Sequence, residues 1–161
     1  MAFAMIMYNG FEYVDPKNII TSNKGKLLPE YEFTDMETKY KVPTSELPKT
    51  AIYYIFSPTC KYCIKQHYYI EKLREKLPDI NHIGISWYKN DEASERWVNQ
   101  HAKGLFDQVL FMHSEELPYS LDIYGIPHTL IVINRQIEFQ SVGLLQNATI
   151  NNHIIPLFQP K

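Results

Sequence analysis

Cysteine and glycine are both scarce in this 161-residue chain, which has two cysteines, Cys60 and Cys63, and 6 glycines. Two cysteines are too few for a disulfide-stapled miniprotein, and they cannot form a four-cysteine zinc site. Aromatic residues are abundant by contrast, with 12 Tyr, 8 Phe and 2 Trp. A chain of this length suits one domain, and its core must be built from bulky side chains.

An excess of charge of one sign is also lacking. The 16 basic and 18 acidic residues leave a formal net charge of −2, which predicts that no nucleic acid is a partner. No stretch of about 20 consecutive apolar residues is present, so the sequence as written predicts no membrane span. The apolar start MAFAMIMY is nevertheless unusual. It indicates either the trimmed end of a signal or membrane anchor, or a plain N-terminal strand or cloning remnant.

Short apolar runs and helical repeats alternate along the chain. Strands are predicted where apolar and β-branched residues cluster, and helices where apolar residues recur every three or four positions. A small hairpin is expected at about 31–42, strands at 50–56, 80–88, 108–112, 129–134 and 136–142, and helices at about 60–76, 90–103, 114–122 and 147–158. This order predicts an α/β fold whose parallel sheet has helices on both faces and an antiparallel hairpin at one edge.

The predicted order resembles the thioredoxin-like arrangement, in which a central mixed sheet is flanked by helices. In this chain a β-hairpin extends the N-terminal side, and an insertion follows the second core strand. We expect a lead-in at residues 1–24, which includes any trimmed anchor end, and a thioredoxin-like domain at residues 25–161; the stretch 15–30 is polar and is expected to be extended.

Cys60 and Cys63 stand where a predicted buried strand turns into a helix. Residues i and i+3 of a first helical turn face the same way, so the two sulfurs are close enough for a disulfide. The first cysteine also lies at the positive end of the helix, which stabilises a thiolate, and Lys61 adds a positive charge that could tune it. We therefore interpret Cys60 as the nucleophile and Cys63 as the buried resolving thiol. The alternative is a pair of core cysteines without a redox role.

The run GIPHT at 125–129 leads directly into a predicted strand. Thioredoxin-fold proteins have a cis-proline at this place, facing the active-site cysteines. We predict that Pro127 is this proline and that the free backbone of Ile126 pairs with an extended substrate chain. The alternative is an ordinary trans-proline in a loop. His128 borders the site and is a titratable group that could tune the thiols.

Neither a metal nor a cofactor is predicted. The histidines at positions 67, 82 and 101 are scattered, and they form no second paired motif beside the two cysteines. A metal site would need more ligands than this pattern offers. We expect Tyr54, six residues before Cys60, to be a core residue.

The chain resembles the DsbE (CcmG) branch of the TlpA/ResA-like thioredoxins over roughly residues 15–158. Five segments carry the resemblance, and YKND at 88–91 is the most specific run within them. They are the opening segment GKLLPEYEF (25–33), the active-site helix CKYCIKQHYYIEKL (60–73), the insertion GISWYKNDEASERWV (84–98), the cis-proline region YSLDIYGIPHTLIVI (119–133) and the terminal hairpin QIEFQSVGLL (136–145).

This resemblance implies a periplasmic thiol:disulfide reductant that works through its dithiol and needs no cofactor. Its substrates would be protein disulfides, those of apocytochrome c or of cytochrome c maturation factors, and a membrane thiol reductant would recharge it. Members of the family are held by one N-terminal membrane helix. The resemblance therefore implies that the full-length form is anchored to the inner membrane and that the apolar start is the end of that anchor.

Three departures from the family pattern leave the direction of electron flow open. Thr59 replaces the usual Trp before the first cysteine, Lys61-Tyr62 replaces the common Pro-containing pair, and His128 stands where the family often has Glu. A Thr at this place also occurs in DsbC-type isomerases and DsbA-type oxidases. A disulfide isomerase or oxidase is therefore one alternative function. A redox-inert adaptor that binds peptides in the cis-proline groove is another.

Overall fold

A mixed sheet forms the centre of the fold. The computed structural model describes residues 18–160, and within them seven strands form one sheet in the order β2-β1-β5-β4-β3-β6-β7. The strands are β1 (Glu32–Asp35), β2 (Lys41–Pro43), β3 (Ala51–Phe56), β4 (Asn81–Trp87), β5 (Gln108–Met112), β6 (His128–Ile133) and β7 (Gln136–Val142). β3, β4 and β5 are parallel, whereas β6 is antiparallel to both β3 and β7. The predicted thioredoxin-like α/β fold with a mixed sheet is confirmed.

The expected N-terminal hairpin is present as β1 and β2. The two strands are antiparallel, with Glu32 opposite Pro43, and β1 also pairs antiparallel with β5. The turn between them is held by Asp35, whose Oδ1 accepts hydrogen bonds from the backbone N–H groups of Glu37 and Thr38, both at 2.9 Å. The hairpin therefore extends the sheet beyond β5.

Besides a short 3₁₀ helix at Thr44–Glu46, four helical segments cover the sheet in the part of the chain that the structure describes. They are α1 (Lys61–Lys76), α2 (Asp91–His101), α3 (Glu116–Ser120) and a composite α4, which consists of Asn147–Thr149, a π-helical segment Ile150–Ile154 and Ile155–Phe158. Asn90 caps α2, because its Oδ1 accepts a hydrogen bond from the Ala93 N–H at 3.0 Å. Gly104 follows this helix with a φ of +76°, a conformation that favours glycine.

Two apolar clusters lie on opposite faces of β3, and all six residues of this strand are buried. Alternate side chains of a strand point to opposite faces. Tyr54 accordingly joins the cluster that contains Cys63 and Trp97, whereas Tyr53 joins the cluster that contains Leu130. Burial on both faces explains why the run AIYYIF is apolar throughout and does not alternate with polar residues. It also confirms that Tyr54 is a core residue.

The segment before the hairpin lies along β7. The Gly25 N–H donates to the Ile137 carbonyl oxygen at 2.7 Å, and an isolated bridge joins Ile19 to Ser141. Residues 18–28 therefore cover the outer edge of the β6–β7 hairpin, which would otherwise expose unpaired backbone groups. The division of the chain at residue 25 stays a prediction. The anchor remnant or strand expected at residues 1–14 lies outside the described residues.

Candidate active site

Cys60 and Cys63 form a disulfide at the start of α1, with their Cα atoms 5.3 Å apart. Cys60 is the N-cap residue, and its extended backbone (φ −94°, ψ 111°) joins the loop after β3 to the helix. Its N–H donates to the Ser57 carbonyl oxygen at 3.1 Å. Cys60 is partly exposed, whereas Cys63 is 2% exposed. A partner molecule in solvent therefore reaches the first sulfur before the second.

The bond between Ile126 and Pro127 is cis, as predicted. β3 and β6 are antiparallel, with Ile55 opposite His128. The loop that follows β3 and carries Cys60 therefore meets the loop that precedes β6 at the same edge of the sheet. The Pro127 carbonyl oxygen accepts a hydrogen bond from the Gly143 N–H at 2.8 Å. The sheet thus brings the loop of Cys60 and the Ile126–Pro127 segment, both predicted as parts of the site from the sequence, to the same edge.

His128 is fully buried directly after the cis-proline. Its Nε2 lies 3.0 Å from Nε2 of Gln140, and the same amide nitrogen donates to the Leu121 carbonyl oxygen at 2.9 Å. Gln140 Oε1 accepts from Asn23, so its amide nitrogen is the donor and His128 Nε2 the acceptor. Burial lowers the pKa of His128 to about 4. The ring is therefore neutral at pH 7 and adds no positive charge beside the cysteines.

Solved structures of thiol–disulfide oxidoreductases have this fold. The thioredoxin domain of such an enzyme from Bacteroides vulgatus matches with a TM-score of 0.70 at 16% identity, over 86% of this chain and 100% of that one. A secreted disulfide oxidoreductase of Mycobacterium tuberculosis, described as homologous to E. coli DsbE, matches with a TM-score of 0.63 at 12% identity, over 78% of this chain and 95% of that one. At such identities these structures show the fold alone.

Sequence relatives extend the likeness from the fold to the class of enzyme. The chain is 23% identical to the thiol:disulfide interchange protein DsbE of Pasteurella multocida in an alignment of 161 positions that covers 98% of this chain and 87% of that protein. It is 25% identical to the probable thiol:disulfide interchange protein DsbE-2 of the same organism in an alignment of 134 positions that covers 82% of this chain and 69% of that protein. The chain is a DsbE-like thiol:disulfide oxidoreductase. No family model matches it.

The residues between the two cysteines of this DsbE-like oxidoreductase are both exposed. Lys61 is the first residue of α1, and the Tyr62 side chain is 58% exposed. Lys65 places its Nζ 5.1 Å from the centre of the Tyr62 ring, which is within the range of a cation–π contact. The exposed surface of α1 around the disulfide is therefore basic and aromatic.

One buried polar residue of the DsbE-like site was missed by the sequence analysis. Gln66 lies one helical turn after Cys63 and is 2% exposed. Its Nε2 donates to Thr129 Oγ1 at 3.4 Å, and its Oε1 accepts from the Leu145 N–H at 2.8 Å. Residues three positions apart on a helix share a face, so the predicted burial of Cys63 was the signal in the sequence that Gln66 is also buried.

His67 follows Gln66 and is a packing residue of the DsbE-like fold. Its ring meets Trp97 edge-on, with 5.6 Å between the ring centres. Burial and the neighbouring His101 both lower the pKa of His67. Within residues 18–160, no three His, Cys, Asp or Glu side chains are grouped as metal ligands, and no helix there is long and apolar enough to cross a membrane.

Proposed function

We propose that this DsbE-like oxidoreductase is a reductant of protein disulfides, of the type that serves cytochrome c maturation. The observation that carries the proposal is the Cys60–Cys63 pair at the N-terminus of α1, at the sheet edge that also holds Ile126 and Pro127. The likeness to DsbE, which covers 98% of this chain and 87% of that protein, supports thiol:disulfide exchange as the reaction.

The reaction needs only the two cysteines and the substrate disulfide. In the reduced protein, the Cys60 thiolate attacks one sulfur of the substrate, which forms a mixed disulfide and releases the first substrate thiol. The Cys63 thiolate then attacks the Cys60 sulfur, which restores the Cys60–Cys63 disulfide and releases the second substrate thiol. Two electrons pass from the dithiol to the substrate. A membrane thiol reductant must return two electrons before the next cycle.

The roles follow from the exposure of each sulfur. Cys60 is at the helix N-terminus, where unpaired N–H groups and the helix dipole stabilise a thiolate. Cys63 is buried in the apolar cluster, so that it does not meet a substrate disulfide directly but reaches the Cys60 sulfur once that sulfur is bonded to the substrate. Ile126 packs against the clusters on both faces of the sheet. We propose that its backbone pairs with the extended substrate chain and that Pro127 shapes this platform.

Two neighbours of the dithiol are assigned tuning roles. Lys61 contributes a positive charge at the N-terminus of α1, which favours the Cys60 thiolate. His128 contributes a neutral, buried ring at neutral pH, so its influence on the thiols is that of a dipole and not that of a charge.

The likeness to DsbE also supports a location outside the cytoplasm. We propose that the protein works in the periplasm and that its full-length form is anchored to the inner membrane at the N-terminus. Its partners are then apocytochrome c or the cytochrome c maturation factors. Membrane fractionation of cells that express the full gene, followed by protease treatment of spheroplasts, tests this location. Release into the cytosolic fraction would contradict it.

The equilibrium with glutathione tests the direction of electron flow. A reductant should have a reduction potential well below about −200 mV, so that the Cys60–Cys63 disulfide persists in a large excess of reduced glutathione. A potential near about −120 mV is that of a strong oxidant and would contradict the proposal. A double variant, Cys60→Ser with Cys63→Ser, serves as the control. This variant cannot exchange disulfides, so if it still performs the protein's function in the cell as well as the wild type does, the redox-inert adaptor is favoured.

A further inference from the structure

Gln66 connects three separate segments around the disulfide. It lies on α1, one turn after Cys63, and its side chain reaches Thr129 on β6 and the Leu145 N–H in the loop between β7 and α4. Gln66, Thr129 and Leu145 are all nearly inaccessible to solvent, at 2%, 0% and 1% exposure. The amide therefore makes these contacts away from competing water, where a lost hydrogen bond is costly.

A second contact closes the connection on the side of the cis-proline. Thr129 lies two residues after Pro127, and Leu145 lies two residues after Gly143. The Gly143 N–H donates to the Pro127 carbonyl oxygen at 2.8 Å. The helix of the cysteines, the strand of the cis-proline and the β7–α4 loop thus form one hydrogen-bonded unit, with Gln66 as the side chain that touches all three.

We infer that Gln66 is a positioning residue for thiol–disulfide exchange, which holds the cysteine turn of α1 in register with the Ile126–Pro127 platform. This inference rests on the proposed roles of Cys60, Cys63 and Ile126. A substrate chain that lies on the platform must present its sulfur to Cys60, so a shift between α1 and β6 misplaces the reacting atoms. A small disulfide that does not use the platform tolerates the same shift.

The amide is suited to this position because it both donates and accepts while remaining uncharged. Its Nε2 donates to Thr129, and its Oε1 accepts from Leu145. A carboxylate there would place a buried negative charge one helical turn from Cys63. Such a charge disfavours a neighbouring thiolate. Gln66 therefore holds the site together without opposing the ionisation of the cysteines.

The test compares two substrates and four variants. The substrates are a peptide disulfide and a small aromatic disulfide, and the quantity is the ratio of their kcat/KM values. Gln66→Met keeps the length of the side chain but removes both hydrogen bonds. We expect it to lower the peptide-to-small-disulfide ratio by about tenfold, the size expected for one buried hydrogen bond. Gln66→Glu keeps an acceptor for Leu145. It should preserve more of the ratio and move the alkylation of Cys60 to higher pH.

Gln108→Met is the matched control. Gln108 lies on β5, away from the disulfide, and its side-chain amide donates to Asp35 Oδ2 at 2.7 Å. It should lower stability without changing the ratio. If Gln66→Met lowers stability but leaves the ratio as in Gln108→Met, the amide is only structural and the inference is wrong. If Gln66→Met fails to fold, Thr129→Val is measured in its place, because it removes only the hydrogen bond between Gln66 and Thr129. A ratio unchanged in Thr129→Val then overturns the inference.

The outcome is separable from that of the proposed function. The ratio depends on the geometry around the dithiol, whichever way electrons flow. The glutathione equilibrium of the wild-type protein tests the direction, and the Gln66 variants test the positioning. A wild-type reduction potential as high as that of a strong oxidant, together with a changed ratio, would reject the reductant and keep the role of Gln66.

Discussion

His128 accepts a hydrogen bond at Nε2 from the side-chain amide of Gln140 at 3.0 Å, while its Nδ1 has no partner among the described residues. The ring is fully buried at the start of β6. A proton added to it would place a charge in an apolar site and would also break the bond with Gln140 unless the amide turned. This arrangement makes the folded protein resist protonation at that residue.

We expect His128 to contribute to acid sensitivity. Its pKa is about 4 in the folded protein because of burial, whereas an unfolded histidine titrates near 6.5. As pH falls below about 6.5, the unfolded chain binds a proton that the folded chain does not. Stability is therefore lost between about pH 6.5 and 4, up to about 3 kcal/mol in total, and is fully present above that window.

Urea unfolding of His128→Gln across this pH range checks the expectation. The variant should lose less free energy of unfolding than the wild type between pH 6.5 and 4. A remaining slope is expected, because burial also lowers the pKa values of His67 and His82. His113→Gln is the control at an exposed position. Parallel pH profiles for the wild type and His128→Gln would show that the buried ring does not set the acid sensitivity.

Cys63→Ser should trap a mixed disulfide through Cys60. The outer cysteine is partly exposed and still attacks a substrate disulfide, but the buried thiol that resolves the complex is gone. Mass spectrometry after incubation of the reduced variant with a peptide disulfide should show a stable adduct on Cys60. Cys60→Ser is the matched control and should capture little peptide. Preferential capture through Cys63 would reverse the two roles.

Cys60 should form its thiolate at lower pH than Cys63 in the reduced protein. The first sulfur sits at the N-cap of α1, whereas the second is 2% exposed within an apolar cluster. Alkylation with iodoacetamide against pH, read by mass spectrometry at each cysteine, measures the order. Cys60 should react with a midpoint below the ordinary thiol value of about 8.5. Equal midpoints for both thiols would remove the basis for calling Cys60 activated.

Lys61→Gln tests the charge beside Cys60 in the same assay. Lys61 is exposed, so water and salt screen its field. We expect the Cys60 midpoint to rise by a few tenths of a pH unit at low ionic strength and by less in about 0.5 M salt. Lys76→Gln, at the last residue of the same helix, is the control and should have no effect. A midpoint that stays in place at low salt would remove Lys61 from the tuning residues.

Gly84→Ala should destabilise the fold through Phe106. A Cβ atom at residue 84 would lie 2.8 Å from Cδ2 of the Phe106 ring, and that ring stacks on Phe56 with 5.7 Å between centres. We expect a loss of about 1–3 kcal/mol in the free energy of unfolding, since overpacking displaces the stacked rings. Thermal and urea unfolding measure this loss.

The double variant Gly84→Ala with Phe106→Leu provides the control for that mechanism. A smaller side chain at residue 106 gives the new methyl group room, so the two changes should couple and cost less together than the sum of the single changes. Strict additivity would mean that the Phe106 ring is not the obstacle.

Local features were predictable because they depend on neighbours along the chain. The buried run of β3, the position of Cys60 and Cys63 at the start of a helix, and the cap at Asn90 all follow from residues within a few positions of one another. The same holds for the hairpin of β6 and β7, whose tight turn leaves only an antiparallel pairing. These features, with the resemblance of the segments around them, were enough for the fold class.

The pairing of distant segments decided what lies beside the cysteines. Gln66 contacts Thr129 across 63 positions and Leu145 across 79, and neither contact has a periodic pattern in the sequence. Burial of His128 likewise depends on the insertion of β6 beside β3, which turns a titratable residue into a neutral one. The sequence by itself determined which elements form and where the dithiol lies. Only the tertiary structure decided which polar side chains support it, because desolvation and hydrogen bonding are set by what packs from other parts of the chain.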